Sequence, residues 1–313
     1  MKIQNNILLK DYTTYKIGGP AKYFVRIGNL EELREAFKIV KKENLPYFIL
    51  GGGSNSLISD KGFNGLVILI ENNEIKKYDN KLQISSGLSL QDAINFATEY
   101  NLKGLEWGEG IPGMVGGAIR GNAGAFGGEI KNVLESIKTY DPESNMVKEY
   151  HNSEADFSYR NSIFKNKAYK EVILSAVFKL SYGKEKDIAR KRNQYKLYRL
   201  ENHPQEPSCG SVFKNIKDKK FLQHYLEKHS EIREQYIKNW IYKIPAAYFI
   251  AEAGLTGFQM GQAQVSPKHT NFIINKGKAE ADEIARLISF IKSRVKERFG
   301  VRLQEEVQYI GWQ

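Results

Sequence analysis

The 313-residue sequence predicts an α+β fold of more than one module, and three observations carry that reading. Short apolar strands alternate with helices that carry clear start signals. Two segments, Gly51 to Ser56 and Ile111 to Gly128, hold too much glycine to be ordinary element interiors. A strongly basic stretch, Lys184 to Glu201, runs up to His203, Pro204 and Pro207, a shift in composition that marks a module boundary.

The elements follow in order. Asn29 with Glu32 forms a capping-box variant, and Leu33, Ala36, Phe37 and Val40 share one helical face until Asn44 and Pro46 stop it. Tyr47 to Leu50 reads as a short buried strand running into Gly51, and Leu66 to Ile70 as the next. Ser89 and Asp92 start a second helix, whose Ala93, Phe96, Ala97 and Tyr100 lie together. Strands are expected around 133–140, 146–150 and 172–180, and a basic connector helix over 184–201. Leu222, Tyr225, Leu226, Ile232, Tyr236, Ile237, Trp240 and Ile241 suit one long helix or two short ones. The last helix carries Ile284, Leu287, Ile288, Ile291 and Val295, ends at Gly300, and hands over to a closing strand from Val301 to Ile310.

Composition narrows the function classes. A hydrophobic share of 41% and a charged share of 27% belong to a globular chain, and no segment approaches the apolar length that a bilayer demands. A single cysteine, Cys209, leaves no internal disulfide and no cysteine-rich metal site, which suits a reducing cytoplasm. The net charge of +11 is spread over scattered lysines, and no RNA-binding aromatic motif accompanies it. That charge admits nucleic acid, an anionic membrane or polyanionic small molecules without choosing between them, and the bland alternative is a lysine-rich surface from biased composition.

The glycine-rich segments point to a dinucleotide cofactor, best read as a flavin. Most side chains hold a backbone too far from a pyrophosphate for amide contact, so Gly51, Gly52 and Gly53, followed by Ser54, Asn55 and Ser56, make an oxyanion cradle. The bland alternative is a tight turn between strands. Gly108, Gly110 and Gly113 match the spacing of a nicotinamide dinucleotide fingerprint, but Pro112, Gly116, Gly117, Gly121 and Gly124 oppose the long helix which that fingerprint needs. A glycine-lined wall against a large planar ligand fits better.

Several motifs together resemble one family. They are YTTYKIGG at 12–19, GGGSN at 51–55, IPGMVGGA at 111–118, NAGAFGGEI at 122–130, YRNS at 159–162 and PSCGSVFKN at 207–215, followed by AEAGLTG at 251–257, VSPKHTNF at 265–272 and GVRLQEEV at 300–307. In this order they resemble the UDP-N-acetylenolpyruvoylglucosamine reductases of peptidoglycan precursor synthesis. The resemblance implies a two-part FAD-binding domain of the vanillyl-alcohol oxidase/PCMH type over 1–70 and 71–185, joined by the C-terminal strand, and a smaller α/β substrate-binding domain over 186–313. It implies non-covalent FAD, NADPH as hydride donor, a UDP-sugar enolpyruvyl ether as substrate, and a cytoplasmic monomer.

Matched motif to motif, Arg160, Ser211 and Glu306 would be catalytic. The cofactor would be held by Gly51, Gly52, Gly53, Ser54, Asn55 and Ser56, and by Ile111, Pro112, Gly113, Gly116, Gly117, Asn122, Ala123 and Gly124. Lys214, Asn215, Lys268 and His269 would hold substrate, and no metal is implied. The residue types suit the chemistry. Hydride addition to an enolpyruvyl double bond builds an enolate that a guanidinium can bind through two parallel hydrogen bonds, and a carbon must then be protonated. A serine hydroxyl is a weak donor unless polarised, with Lys214 the nearest candidate, and Glu306 would serve as a second acid.

Two departures stand out. The spacing from Arg160 to Ser211 resembles the branch without an extra substrate-clamping tyrosine loop, leaving Tyr195 and Tyr198 as the candidates to stand in. The stretch from Lys217 to Lys243 looks inserted, and its apolar stripe implies packing or a partner surface. Two other readings remain: a flavin oxidase of the vanillyl-alcohol oxidase type, and a non-catalytic basic binding protein that has kept the fold.

Overall fold

A computed structural model describes residues 1–166, 170–238, 240 and 242–312. The contacts divide the chain into two compact units, one of Met1–Tyr12, Gly19–Ser54 and Lys61–Glu201, the other of Thr13–Gly18, Asn55–Asp60 and Asn202–Gln313.

The first unit holds two sheets. In the smaller, the strand order is Gln4–Leu8, Pro20–Ile27, Phe63–Ile70 and Tyr47–Leu50, the first pair antiparallel and the other two parallel. The parallel geometry requires a crossover, which helix Leu30–Lys42 supplies between Pro20–Ile27 and Tyr47–Leu50. The Asn29 side chain accepts from the Glu32 amide at 3.0 Å, as its sequence signal predicts. Leu33, Ala36 and Phe37 are buried in one core with Val25, Leu66 and Ile68, so Phe63–Ile70 is an almost continuous apolar run because it is covered on both faces.

The larger sheet is antiparallel throughout, in the order Met146–His151, Leu134–Asp141, Val172–Lys179, Lys81–Ser85 and Ile75–Tyr78. Its inner face packs on helices Leu90–Glu99 and Val115–Arg120 through Leu82, Ile84, Ile94, Val115 and Ile119. Ser89 caps the first of these, accepting from the Asp92 amide at 2.9 Å. The basic helix Glu185–Asn202 belongs to this unit as far as Glu201.

The second unit is built around helix Ala281–Phe299, whose Ile284, Leu287, Ile288, Ile291 and Val295 are all fully buried, and which stops where Gly300 turns to φ +70°. Around it lie a three-stranded antiparallel sheet, Gln259–Met260, Ala263–Val265 and Ile273–Asn275, and helix Ala246–Glu252. The segment that looked inserted forms two short helices, Lys219–Lys228 and Arg233–Lys238. Leu222, Tyr225, Leu226 and Ile232 sink into the unit's core, with Tyr225 meeting Phe249 at 5.2 Å, while Ile237 is exposed. Ile241, part of the expected stripe, lies outside the described residues. The closing strand is shorter than the sequence predicts. Only Gln308–Ile310 is regular, paired in parallel with Ser56–Ile58, because residues upstream spend their backbone groups on 212–214 instead. No helix of the described residues is long and apolar enough to cross a membrane.

In the larger sheet, Lys148 lies between Asp141, at 2.8 Å, and Glu171, at 3.0 Å, and it holds the Asp141 carboxyl down to about 2 from an ordinary 3.8. A carboxyl lowered in the folded state stabilises above its unfolded pKa, and that stability is lost as pH falls through the folded one. Asp141→Asn should therefore lower the thermal midpoint at neutral pH, with the gap to the parent closing as pH falls from 3.8 toward about 2. A gap unchanged at the bottom of that window contradicts the pairing.

Candidate active site

Gly51 follows strand Tyr47–Leu50 directly, and Gly53 turns the chain at φ +57°. A Cβ on Gly52 would lie 2.7 Å from the Gly113 Cα, and a Cβ on Gly113, at φ +124°, would lie 2.7 Å from the Ser54 Oγ. The two glycine-rich segments thus touch backbone to backbone. The second is sewn into its unit by amide bonds, Leu90 to the Gly113 carbonyl (3.0 Å), Val115 to Leu88 (2.9 Å) and Gly116 to Ser86 (2.8 Å). It then forms a helix, Val115–Arg120, short enough to contain Gly116 and Gly117. Gly116 is required by packing, since its Cβ would meet the Ser86 Cβ at 2.8 Å. Gly117 is not, for a side chain there would meet no described atom within 4 Å. Helical glycine costs about 1 kcal/mol against alanine, and the space in front of Gly117 is open.

Beyond the helix, Asn122 is fully buried at φ +42°. Its amide donates to the Glu129 carboxylate (2.8 Å) and the Ser158 carbonyl (3.0 Å), and its oxygen accepts from the Lys131 amide (3.1 Å), so its side chain holds the turn that presents Ala123 and Gly124. Ile111 is partly buried and Pro112 is exposed. Arg160 stands at the tip of a tight turn closed by paired Ser158 and Asn161 backbones, at φ +57°. Its guanidinium donates to the Gly124 carbonyl at 2.7 Å, which fastens it to the second glycine-rich segment.

Asn55 and Ser56 group with the second unit, unlike Gly51 to Ser54. There the Asn55 amide donates to the Glu306 carbonyl (3.1 Å), the Gln308 amide donates to the Asn55 carbonyl (3.0 Å), and Ser56 pairs with Gln308. Ser211 follows Gly210, at φ +76°, and bridges to Phe272. The Glu306 amide donates to the Val212 carbonyl at 2.7 Å, and the Lys214 amide to Gln304 at 2.8 Å, which sets the Ser211 and Glu306 segments side by side.

Sequence reasoning passed over Asn271. It is buried, its oxygen accepts from the Phe213 amide (2.9 Å), its amide donates to the Phe213 carbonyl (2.8 Å), and its own carbonyl accepts from Val212. The available signal was a polar residue of the VSPKHTNF motif standing between apolar neighbours. Asn215 accepts from the Ala246 amide at 3.3 Å, at the start of a helix whose N-cap, Pro245, has no capping side chain. The Lys268 and His269 amides both turn toward the Ser266 hydroxyl. Burial lowers the His269 pKa below its ordinary value, so near neutral pH the ring offers hydrogen bonds rather than charge.

The structure separates the two adjacent glutamates. Glu305 is engaged by Lys292 at 2.5 Å and by the Tyr309 hydroxyl, whereas Glu306 is the one tied to Val212 and Asn55 through its backbone. Burial pushes the Cys209 thiol up to about 12, which removes it as a nucleophile. Tyr195 and Tyr198 both close on Phe126, the first stacked at 4.3 Å and the second edge-on at 5.3 Å.

A model of an FAD binding domain matches residues 21–149, and one described as the C-terminal domain of UDP-N-acetylenolpyruvoylglucosamine reductase matches 202–310. A UDP-N-acetylenolpyruvoylglucosamine reductase of Clostridium novyi is 40% identical over 99% of this chain and 92% of that protein. This chain belongs to that reductase family. A second relative with the same description, from Lactobacillus delbrueckii subsp. bulgaricus, is 39% identical over 99% of this chain and 96% of its own. The crystal structure of UDP-N-acetylenolpyruvylglucosamine reductase from Thermus caldophilus superposes with a TM-score of 0.78 at 30% identity, covering 99% of both chains. The expected class, α+β with an FAD-binding part followed by a smaller C-terminal part, holds, and FAD is the cofactor.

The residues present fit that cofactor. The backbone contact at Gly52 and Gly113 leaves no side chain to fend off a pyrophosphate, and the open face of Gly117 lies within the matched FAD-binding region. Two alanine substitutions separate packing from ligand room. Gly52→Ala should destabilise the FAD-free protein by about 1–3 kcal/mol through overpacking. Gly117→Ala should leave it as stable or more so, while weakening FAD measured by fluorescence titration of the apoprotein. Equal FAD affinity in Gly117→Ala and parent would show that the open face is not used.

Proposed function

We propose that this chain catalyses the NADPH-dependent reduction of UDP-N-acetylglucosamine enolpyruvate to UDP-N-acetylmuramate, a step of peptidoglycan precursor synthesis, with Arg160, Ser211 and Glu306 as the reacting groups. Membership of the reductase family over nearly the whole chain supports the reaction. The observation that carries the residue roles is the hydrogen bond from the Glu306 amide to the Val212 carbonyl, which brings two of the three motif residues into neighbouring segments.

Bound FAD supplies a carrier that accepts hydride from NADPH and releases it to the enolpyruvyl double bond. The chain's own groups handle charge and protons. Arg160 binds the substrate carboxylate and stabilises the enolate as negative charge develops, a task suited to a guanidinium that stays protonated at any working pH. Its left-handed backbone and its bond to Gly124 pre-set its direction, so little reorganisation is needed when charge appears. Ser211 gives its hydroxyl proton to the adjacent carbon, polarised by Lys214, and Glu306 returns a proton to the system. Lys268 offers a cation to the diphosphate, His269 a neutral hydrogen-bonding ring, and Asn215 a polar contact to the sugar or nucleotide.

On this reading FAD is held without a covalent bond, because neither glycine-rich segment contains a histidine or cysteine. The enzyme works as a monomer in the cytoplasm, where UDP-sugars and NADPH are found, with neither nucleic acid nor membrane as a partner. The exposed side of the 217–243 segment, including Ile237, is the surface left for any protein partner.

Flavin-loaded protein given NADPH and the enolpyruvyl UDP-sugar should oxidise NADPH, followed by absorbance, only when both are present. Ser211→Ala should still let NADPH reduce the flavin but slow reoxidation by substrate by about 100-fold or more, the scale of a lost general acid. Equal reoxidation in variant and parent would remove Ser211 from the mechanism.

A further inference from the structure

Helix Glu185–Asn202 places Arg192, Tyr195 and Arg199 at i, i+3 and i+7, hence on one face. Each grips the second glycine-rich region or the loop that leads into it. Arg192 donates to the Glu109 carboxylate at 2.6 Å, and to Thr98 and Asn95 behind it. Arg199 is buried, and its guanidinium forks onto two backbone carbonyls, those of Trp107, at 3.0 Å, and Glu109. The same guanidinium lies 4.8 Å from the ring centroid of Phe126, which stacks on Tyr195.

This is an unusual use of a buried charge. Burying a guanidinium is costly unless several acceptors meet it, and a lysine in its place would make one direction of contact rather than a planar fork. The loop that it holds has local turns of its own, Gly108 to the Leu105 carbonyl and Ile111 to the Gly108 carbonyl, and Arg199 ties those turns to the helix. Gly108 and Gly110 contribute no side chains, Gly110 sits at φ +75°, and Phe126 takes φ +51° beside Gly127 at φ +85°. A glycine-rich chain has many conformations to lose, and whatever pins its two ends reduces the entropy that a ligand must otherwise remove. The cofactor residues from Ile111 to Gly124 lie between the two pinned ends, 107–110 and Phe126.

We infer that Arg199, with Phe126 as its partner, is a positioning residue for the flavin: one helix face sets the entry and the tip of the second glycine-rich segment before FAD arrives. The inference rests on the flavin reading. Titrating the parent apoprotein with FAD tests that reading separately, since a parent that binds no FAD defeats the flavin reading itself.

The variants are Arg199→Lys, which keeps the charge but not the fork, and Phe126→Leu, which keeps an apolar side chain but not the ring. FAD dissociation constants of the apoproteins are measured by fluorescence, together with apoprotein unfolding midpoints. Each single variant should bind FAD about tenfold more weakly, and the double variant only about twofold more weakly than the worse single, because both substitutions break one device. Apoprotein midpoints should stay close to the parent's, and saturating FAD should restore turnover. FAD affinity within about twofold of the parent in both singles, or losses that simply multiply in the double variant, overturns the inference. A loss of FAD affinity matched by an equal loss of apoprotein stability overturns it too, since Arg199 would then be an ordinary core contact. Should Arg199→Lys fail to fold, Phe126→Leu decides alone.

Discussion

The approach of two backbones at Gly52 and Gly113 joins the two glycine-rich segments, and the proposed flavin cradle depends on it. With any side chain at Gly52 the segments would have to part, since even a Cβ would lie 2.7 Å from the opposing Cα. That contact lets strand Tyr47–Leu50 and the turn before helix Val115–Arg120 share one surface, and the amide bonds to Leu88 and Ser86 fix the depth at which they meet. Glycine here serves packing first. Gly117 is the instructive exception, because no described atom lies within 4 Å of a side chain placed there.

Polar side chains spent on backbone hold the segments that carry the proposed catalytic residues. Asn122 holds the turn behind Gly124, and Gly124 in turn receives Arg160. In the second unit, Asn271 clamps both backbone groups of Phe213, and Asn55 clamps the backbone of Glu306. Asn122 and Asn271, buried and bonded through both ends of the amide, make stiff supports, since each would cost a full desolvation penalty if its partner shifted. Charge does the complementary work. Lys292 and Tyr309 occupy Glu305, so two chemically identical neighbours acquire different surroundings.

Much of this was legible in the sequence, for identifiable reasons. Asn29, Ser89 and Gly300 announced helix ends through local chemistry, and the stripe from Ile284 to Val295 announced a core face through spacing alone. The glycine-rich segments were legible as special but not as mutually touching, because a contact between residues 52 and 113 leaves no trace in either segment's own pattern. The closing strand was over-read, since apolar alternation from Val301 cannot reveal that 304–306 pair with 212–214 instead of joining a ladder. The apolar stripe of the 217–243 segment suits packing or a partner surface, and Leu222, Tyr225, Leu226 and Ile232 turn to the core. The motif series proposes Arg160, Ser211 and Glu306. It did not supply Asn271 or Arg199, whose roles lie in holding carbonyls and amides of other segments.

We propose that the touching glycine segments form the flavin cradle. Amide hydrogen exchange with and without FAD, resolved to single peptides, tests it most directly. Strong FAD-dependent protection should appear over 51–54 and 113–118, with the larger antiparallel sheet unchanged. Binding of FAD that leaves those amides exchanging as they do in the apoprotein would contradict the account.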